Sequence, residues 1–180
     1  GKLNGFDGLW GVEYKSNHKQ AISGFVLEYY QTTNQSGPMH GLDFSEVKKT
    51  GGADDYYNND WYPGWVHWGM SMANPLIASP IYNKDGDMTF KYNRVRAMHL
   101  GWSGDISSEW TYLAKLSYNK TWGTPFKPIP DILENFSTFA SIIYTPRKWK
   151  GWRFNASIAF DTGEIYGDNL GCQLKVRKIF

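Results

Sequence analysis

Between residues 54 and 68 the chain reads DDYYNNDWYPGWVHW. Tyr56, Tyr57, Trp61, Tyr62, Trp65 and Trp68 supply flat apolar faces, and Asp54, Asp55, Asn58, Asn59 and Asp60 supply short hydrogen-bonding groups beside them. Sugar rings need both. Their C–H faces stack on aromatic planes, and their hydroxyls need a few placed polar partners. The candidate glycan-binding set is therefore Tyr56, Tyr57, Asn58, Asp60, Trp61, Tyr62, Trp65 and Trp68. The competing reading is a loop that folds on itself or plugs a lumen, with the same rings as its local core.

Other chemistry is thinly represented. His18, His40, His67 and His99 lie far apart with no ligand spacing, so no metal site is expected of them. Asp54, Asp55 and Asp60 with Asn58 and Asn59 could offer oxygens to Ca²⁺, but the spacing is not that of an EF-hand loop and reads as a solvated acidic loop. Cys172 stands alone, which excludes an intrachain disulfide and a cysteine-based zinc site, and it reads as a small apolar residue on a strand. No G-x-S-x-G elbow is present. His99 and Ser103 share one side of a strand, which alone does not make a hydrolase. The charge run at residues 147–151, RKWKG, reads as a solvated turn. The expectation is a protein that is not an enzyme and has no cofactor.

Composition narrows the class. Of 180 residues, 9 are Trp and 12 are Tyr, and aromatics reach 17%, which is high for a chain of this size. The net charge of +2 excludes a nucleic-acid binder that works by bulk charge. No run of about 18 apolar residues offers a transmembrane helix. The mean hydropathy is −0.52. That value does not exclude a membrane β-barrel, whose strands average a polar and an apolar side. No signal peptide is legible, so the expectation is a mature protein or a piece of a longer one.

The elements that must position the rings are strands. Period-two alternation is clearest at residues 152–161, where Trp152, Phe154, Ala156, Ile158 and Phe160 oppose Arg153, Asn155, Ser157 and Asp161. Residues 110–119 and 170–180 repeat it, and weaker strands are expected at 6–14, 21–33, 88–102 and 136–145. The best helical candidate is the short stretch 130–139. Connections at 16–19, 104–108 and 146–151 read as short, and those at 34–87, 122–133 and 162–169 as long. Such sorting is expected of an up-and-down outer-membrane barrel, with 34–87 as a long extracellular loop. Single-chain bacterial barrels have even strand numbers, so an eighth strand is sought at 64–72, or in polypeptide outside this chain.

Three features point the apolar side at lipid. Trp102, Trp110, Tyr144 and Trp152 flank the short turns, with Tyr14 before the first. A further ring stands eight residues along, as Tyr118, Phe160 and Phe136, which at a tilt of about 40° is roughly 20 Å away. Interfacial Trp and Tyr suit such a band. The opposite side carries Lys175, Arg177, Arg153, Asp161, Glu109 and Lys115, as a wet lumen or a solvated surface would. The chain closes on an alternating strand ending in Phe180, similar to the terminal aromatic by which barrel-assembly machinery recognises its substrates.

The segment DDYYNNDWYPGWVHWGMSMANPLIASP resembles a region of the Wzi-like capsule-assembly family of outer-membrane β-barrels, in its Bacteroidetes branch. The matching positions are Tyr56, Tyr57, Asn58, Tyr62, Gly64, Trp65, Gly69, Asn74, Pro75 and Leu76, whereas Ala73 stands where the pattern favours Gly. The resemblance runs from about Asp54 to Phe180. It implies the C-terminal part of a longer barrel in the outer membrane of a Gram-negative bacterium, in contact with membrane lipid and lipopolysaccharide. It also implies a lectin-like, non-enzymatic protein that binds or anchors capsular polysaccharide. The alternative is a porin or transport barrel whose long loop folds into the lumen.

Overall fold

The computed structural model describes residues 5–35, 54–58, 61, 64–72 and 74–179. Among them the chain is all-β. Its strands are β1 (Gly8–Lys15), β2 (Gly24–Gln31), β3 (Val66–His67), β4 (Met70–Ser71), β5 (Val95–Asp105), β6 (Trp110–Gly123), β7 (Pro128–Tyr144), β8 (Trp152–Gly163) and β9 (Asn169–Lys178). One 3₁₀ turn covers Pro80–Tyr82. Seven strands form an antiparallel sheet in the order β1-β2-β5-β6-β7-β8-β9. Each pairs with the next in the chain once the small β3–β4 hairpin, a separate sheet, is set aside. Among the described residues β1 and β9 are edges, and the sheet is not closed.

The strands expected from alternation are present, and several boundaries differ. Residues 130–139, the helical candidate, are strand throughout β7. The alternation of Phe136, exposed, with Asn135 and Ser141, buried, decides the period, and the prolines stand at the strand's start, where a missing N–H is tolerated. The expected long connection at 122–133 is the tight turn 124–127. There Gly123 takes a φ of +80° and Thr124 N–H donates to the Lys127 carbonyl at 3.2 Å. The connection after β8 is likewise only 164–168. Short and long connections are therefore not sorted to opposite ends. Only the segment between β2 and β5 is long, and it reaches Arg94 because β5 begins later than expected. The eighth strand sought at 64–72 is instead the β3–β4 hairpin, whose register pairs Val66 with Ser71 and His67 with Met70. Phe180 lies outside the described residues.

The chain forms two compact units. One comprises Trp10–Glu28, Met98–Tyr118 and Asn135–Phe180. It is sheet, with registers such as Tyr144 opposite Phe154 and Phe160 opposite Leu170. One side of it is apolar and open to the surroundings. Val12, Leu27, Met98, Ile142, Ile158 and Leu174 are all exposed, Leu174 to 86%. Rings stand in a row on this side: Trp110 stacks on Tyr144 at 4.5 Å, Tyr144 lies 6.2 Å from Phe154, and Phe154 lies 6.1 Å from Trp152. The other side is polar and internally bonded, with His99 Nδ1 and Ser117 Oγ at 2.7 Å and Asn155 donating to Ser141 Oγ at 2.9 Å. A cavity of about 280 Å³ includes Glu13, Lys15, Ser103 and Lys115 in its wall.

The second unit comprises Gly1–Leu9, Tyr29–Ala97 and Asn119–Glu134. Its core joins Tyr30, Val95 and Ala97 from the strands to Ile77 and Phe90 from the long segment, with Tyr57, Val66 and Leu76 packed against them. The segment thus buries one side of the strand ends. On that side Asn119 Nδ2 reaches the Leu76 carbonyl at 3.4 Å.

Candidate functional site

The ring-rich segment is held by buried polar groups rather than by regular structure. Asn93, fully buried, is the hub. Its amide donates to Asp55 Oδ1 at 2.5 Å and to the Tyr56 carbonyl at 2.7 Å. Its own carbonyl accepts from Thr32 Oγ1 at 2.5 Å and from Gln35 Nε2 at 3.1 Å. Gln35, also fully buried, receives the Tyr56 N–H at 3.1 Å. Asp7 in turn accepts the backbone N–H of Asn34 at 2.9 Å and of Gln35 at 2.6 Å. Every such bond in a dry setting is costly to leave unmade, so the set fixes one arrangement.

Two of the candidate binding residues belong to this brace. Tyr57 takes a φ of +72°, lies with its hydroxyl 3.1 Å from that of Tyr30, and sets its ring 5.6 Å from Phe90. Asn58 clamps Phe90 in both directions, donating to its carbonyl at 2.8 Å and accepting its N–H at 2.8 Å. Tyr56 is half-buried, with its ring 6.3 Å from that of Tyr57. These side chains hold the segment in shape.

Three others face outward. Trp61 is 92% exposed, Trp65 61% and Trp68 87%. The backbone between them is pinched. Trp65 N–H donates to the Tyr57 carbonyl at 2.9 Å, and Gly64, at φ +30°, passes so close that an added Cβ would lie 2.0 Å from the same oxygen. Trp68 and Gly69 then make the tip of the β3–β4 hairpin with φ of +51° and +76°. Two positive φ values in a two-residue loop are the type I′ pattern, where Asn-Gly is the usual pair. A Trp there is conformationally costly, and such strain concentrates at functional positions. The tip is seated by Ile81, whose N–H donates to the Gly69 carbonyl at 2.8 Å. Exposed Met70, Ile81, Tyr82 and Met88 extend the apolar surface of the hairpin and the segment that follows it. Asp60 and Tyr62 lie outside the described residues.

The remaining chemistry is spoken for. Asp55 spends both carboxylate oxygens on Asn58 and Asn93. Among the described residues no three His, Cys, Asp or Glu side chains converge as metal ligands. His99 bonds to Ser117 rather than to Ser103, and no described carboxylate hydrogen-bonds to its ring. Sequence reasoning missed Asn93, Gln35, Asp7 and Thr32. Asp7, Thr32 and Asn93 fall within the weaker expected strands and Gln35 just beyond one, and there a polar residue reads the same whether it is solvated or buried. Searches of protein-family models, of curated proteins and of solved structures found no match to this chain.

Proposed function

We propose that the chain is wall and loop of an outer-membrane β-barrel that binds surface polysaccharide through Trp61, Trp65 and Trp68. The observation that carries this reading is the division of the rings. Tyr30, Ile77, Phe90, Val95 and Ala97, with Tyr57, Val66 and Leu76 packed against them, form the local core. The three tryptophans are exposed outside it, and the Asn93 brace ties down Asp55 and Tyr56 at the start of the ring-rich stretch. Preorganised, exposed aromatic planes bind amphipathic rings with little ordering cost. The barrel reading is supported by the exposed apolar side of the sheet and its row of rings. A solvated surface with that much contiguous apolar area is rare in a monomeric soluble domain. Because β1 and β9 end an odd-numbered antiparallel sheet, they run in the same direction. A closed antiparallel wall built on this sheet takes an odd number of further strands. The Wzi-like resemblance, carried by the segment 54–80, agrees with a capsule-anchoring role.

The test is binding of isolated capsular polysaccharide by the chain in detergent or bilayer. Trp65→Ala and Trp68→Ala each weaken binding about tenfold, as loss of a buried aromatic anchor does, while the sheet's circular dichroism is unchanged. Unchanged affinity in the double variant removes the glycan reading.

A second reading has its own support. The long segment packs on the side of the strand ends that carries Asn119 and the buried Thr121, which in a barrel is the lumen side. It would then constrict a pore. Single-channel recording separates the two: deletion of residues 54–70 raises conductance in a constricted pore and leaves a closed wall silent.

A further inference from the structure

The cavity of about 280 Å³ lies wholly within the unit that comprises Trp10–Glu28, Met98–Tyr118 and Asn135–Phe180. It crosses four adjacent strands, β1, β2, β5 and β6. Strand β6 contributes Leu113 and Lys115 to it but not the intervening Ala114, so it opens on the side of the sheet that carries His99 and Ser117. The two central strands form its floor, where Gly24 of β2 and Gly101 of β5 stand beside Val26 and Ser103. Neither glycine has a positive φ, so the backbone does not demand glycine there. Space does. A Cβ at Gly24 would lie 2.7 Å from Ser103 Oγ, and one at Gly101 would lie 2.9 Å from Val26 Cγ1. Glycine inside a strand weakens it and often marks a place where a ligand approaches the backbone closely. One end of the groove is tied down. Ser16 N–H donates to the Ser23 carbonyl at 2.8 Å, Ser23 N–H to the Ser103 carbonyl at 2.9 Å, and the Tyr112 hydroxyl to the Ala21 carbonyl at 2.7 Å.

The outer strands raise the walls, and the two walls differ. Glu13 and Lys15 stand together on β1, a carboxylate and an ammonium whose charges cancel. On β6 Lys115 is the charged residue of the lining, and no acid stands with it. All three side chains are exposed, and none forms an ion pair with a described residue. The β1 and β6 walls are three strand spacings apart, about 14 Å between backbones, which leaves room for one sugar ring between their side chains. A carboxylate on that ring takes a charge-assisted bond from Lys115, and its hydroxyls find both an acceptor and a donor in Glu13 and Lys15. Val26, Leu113 and the glycine floor offer apolar contact to its C–H face. Phosphate suits the site less well. Lysine lacks the planar fork with which arginine grips it, and a dianion meets Glu13 as a like charge.

We propose that this groove binds a monosaccharide-sized sugar acid, with its carboxylate on Lys115 and its hydroxyls on Glu13, Lys15 and Ser103. The inference depends neither on the exposed tryptophans nor on what the apolar side faces.

The test is equilibrium dialysis of the whole chain in detergent, at constant ionic strength, against D-glucuronate, its methyl glycoside, D-glucose, hexanoate and inorganic phosphate. Glucuronate binds about tenfold tighter than glucose, which lacks the carboxylate, and than hexanoate, which lacks the hydroxyls. Inorganic phosphate does not displace it. Lys115→Gln, at an exposed position that does not threaten folding, removes the preference for glucuronate over glucose. Glu13→Ala, also exposed, removes the preference over hexanoate. Equal binding of hexanoate and glucuronate, or effective displacement by phosphate, reveals attraction to surface lysines alone and overturns the site. An unaffected Lys115→Gln variant overturns it as well. A methyl glycoside that binds as tightly as the free acid identifies the end of a glycan as the ligand, and its exclusion identifies the free acid; the site stands in both cases. Trp61, Trp65 and Trp68 do not line the groove, so failure of capsule binding leaves this result untouched.

Discussion

Gly64 carries the tightest backbone constraint in the ring-rich segment. Its φ is +30°, and a Cβ there would overlap the Tyr57 carbonyl oxygen at 2.0 Å. Gly64→Ala costs about 1–2 kcal/mol for the left-handed backbone alone, and the overlap adds to it. The expected outcome is an opened turn between Tyr57 and Trp65, read as lost hydrogen-exchange protection at the Trp65 amide, which donates to Tyr57. An amide as protected as in the wild type contradicts the pinch. At this scale the sequence was informative about residue types and silent about their division of labour. Trp61, Trp65 and Trp68 could be picked out as rings able to meet a ligand. Nothing in the letters distinguishes them from Tyr57, whose ring belongs to the core, or from Asn58, whose amide is consumed by Phe90. Only the fold decides which aromatic is enclosed.

Among the elements, β8 was the most legible because its alternation is nearly unbroken and both its neighbours share its register. The stretch 130–139, the best helical candidate in a chain with almost no helical periodicity, is strand within β7, as its threonine and phenylalanine content favours. The connections expected at 122–133 and 162–169 are the shorter 124–127 and 164–168, since β7 already begins at Pro128 and β8 runs on to Gly163. The two sides of β8 make a sharp prediction. Ile158 is exposed on the apolar side and Ser157 lies on the polar side. If the apolar side meets lipid, Ile158→Arg costs about 2–4 kcal/mol near mid-bilayer and depresses vesicle insertion, whereas Ser157→Arg inserts as the wild type does. Equal insertion of both variants would tell against the orientation.

For the whole molecule, loop lengths do not mark two ends of a barrel, since among the described strands only the β2–β5 connection is long. The sheet itself is the informative feature. It is a seven-stranded antiparallel meander with an exposed apolar side, a row of rings and a polar side whose hydroxyls and amides bond to one another. The most direct measurement is a single-cysteine scan of residues 153–161 in a Cys172→Ser background, labelled from water with the chain in bilayers. Period-two protection is the predicted result: positions 154, 156, 158 and 160 resist the aqueous reagent, and positions 153, 155, 157 and 161 react. Labelling at 158 and 160 as rapid as at 157 would contradict a lipid-facing wall and the functions proposed upon it.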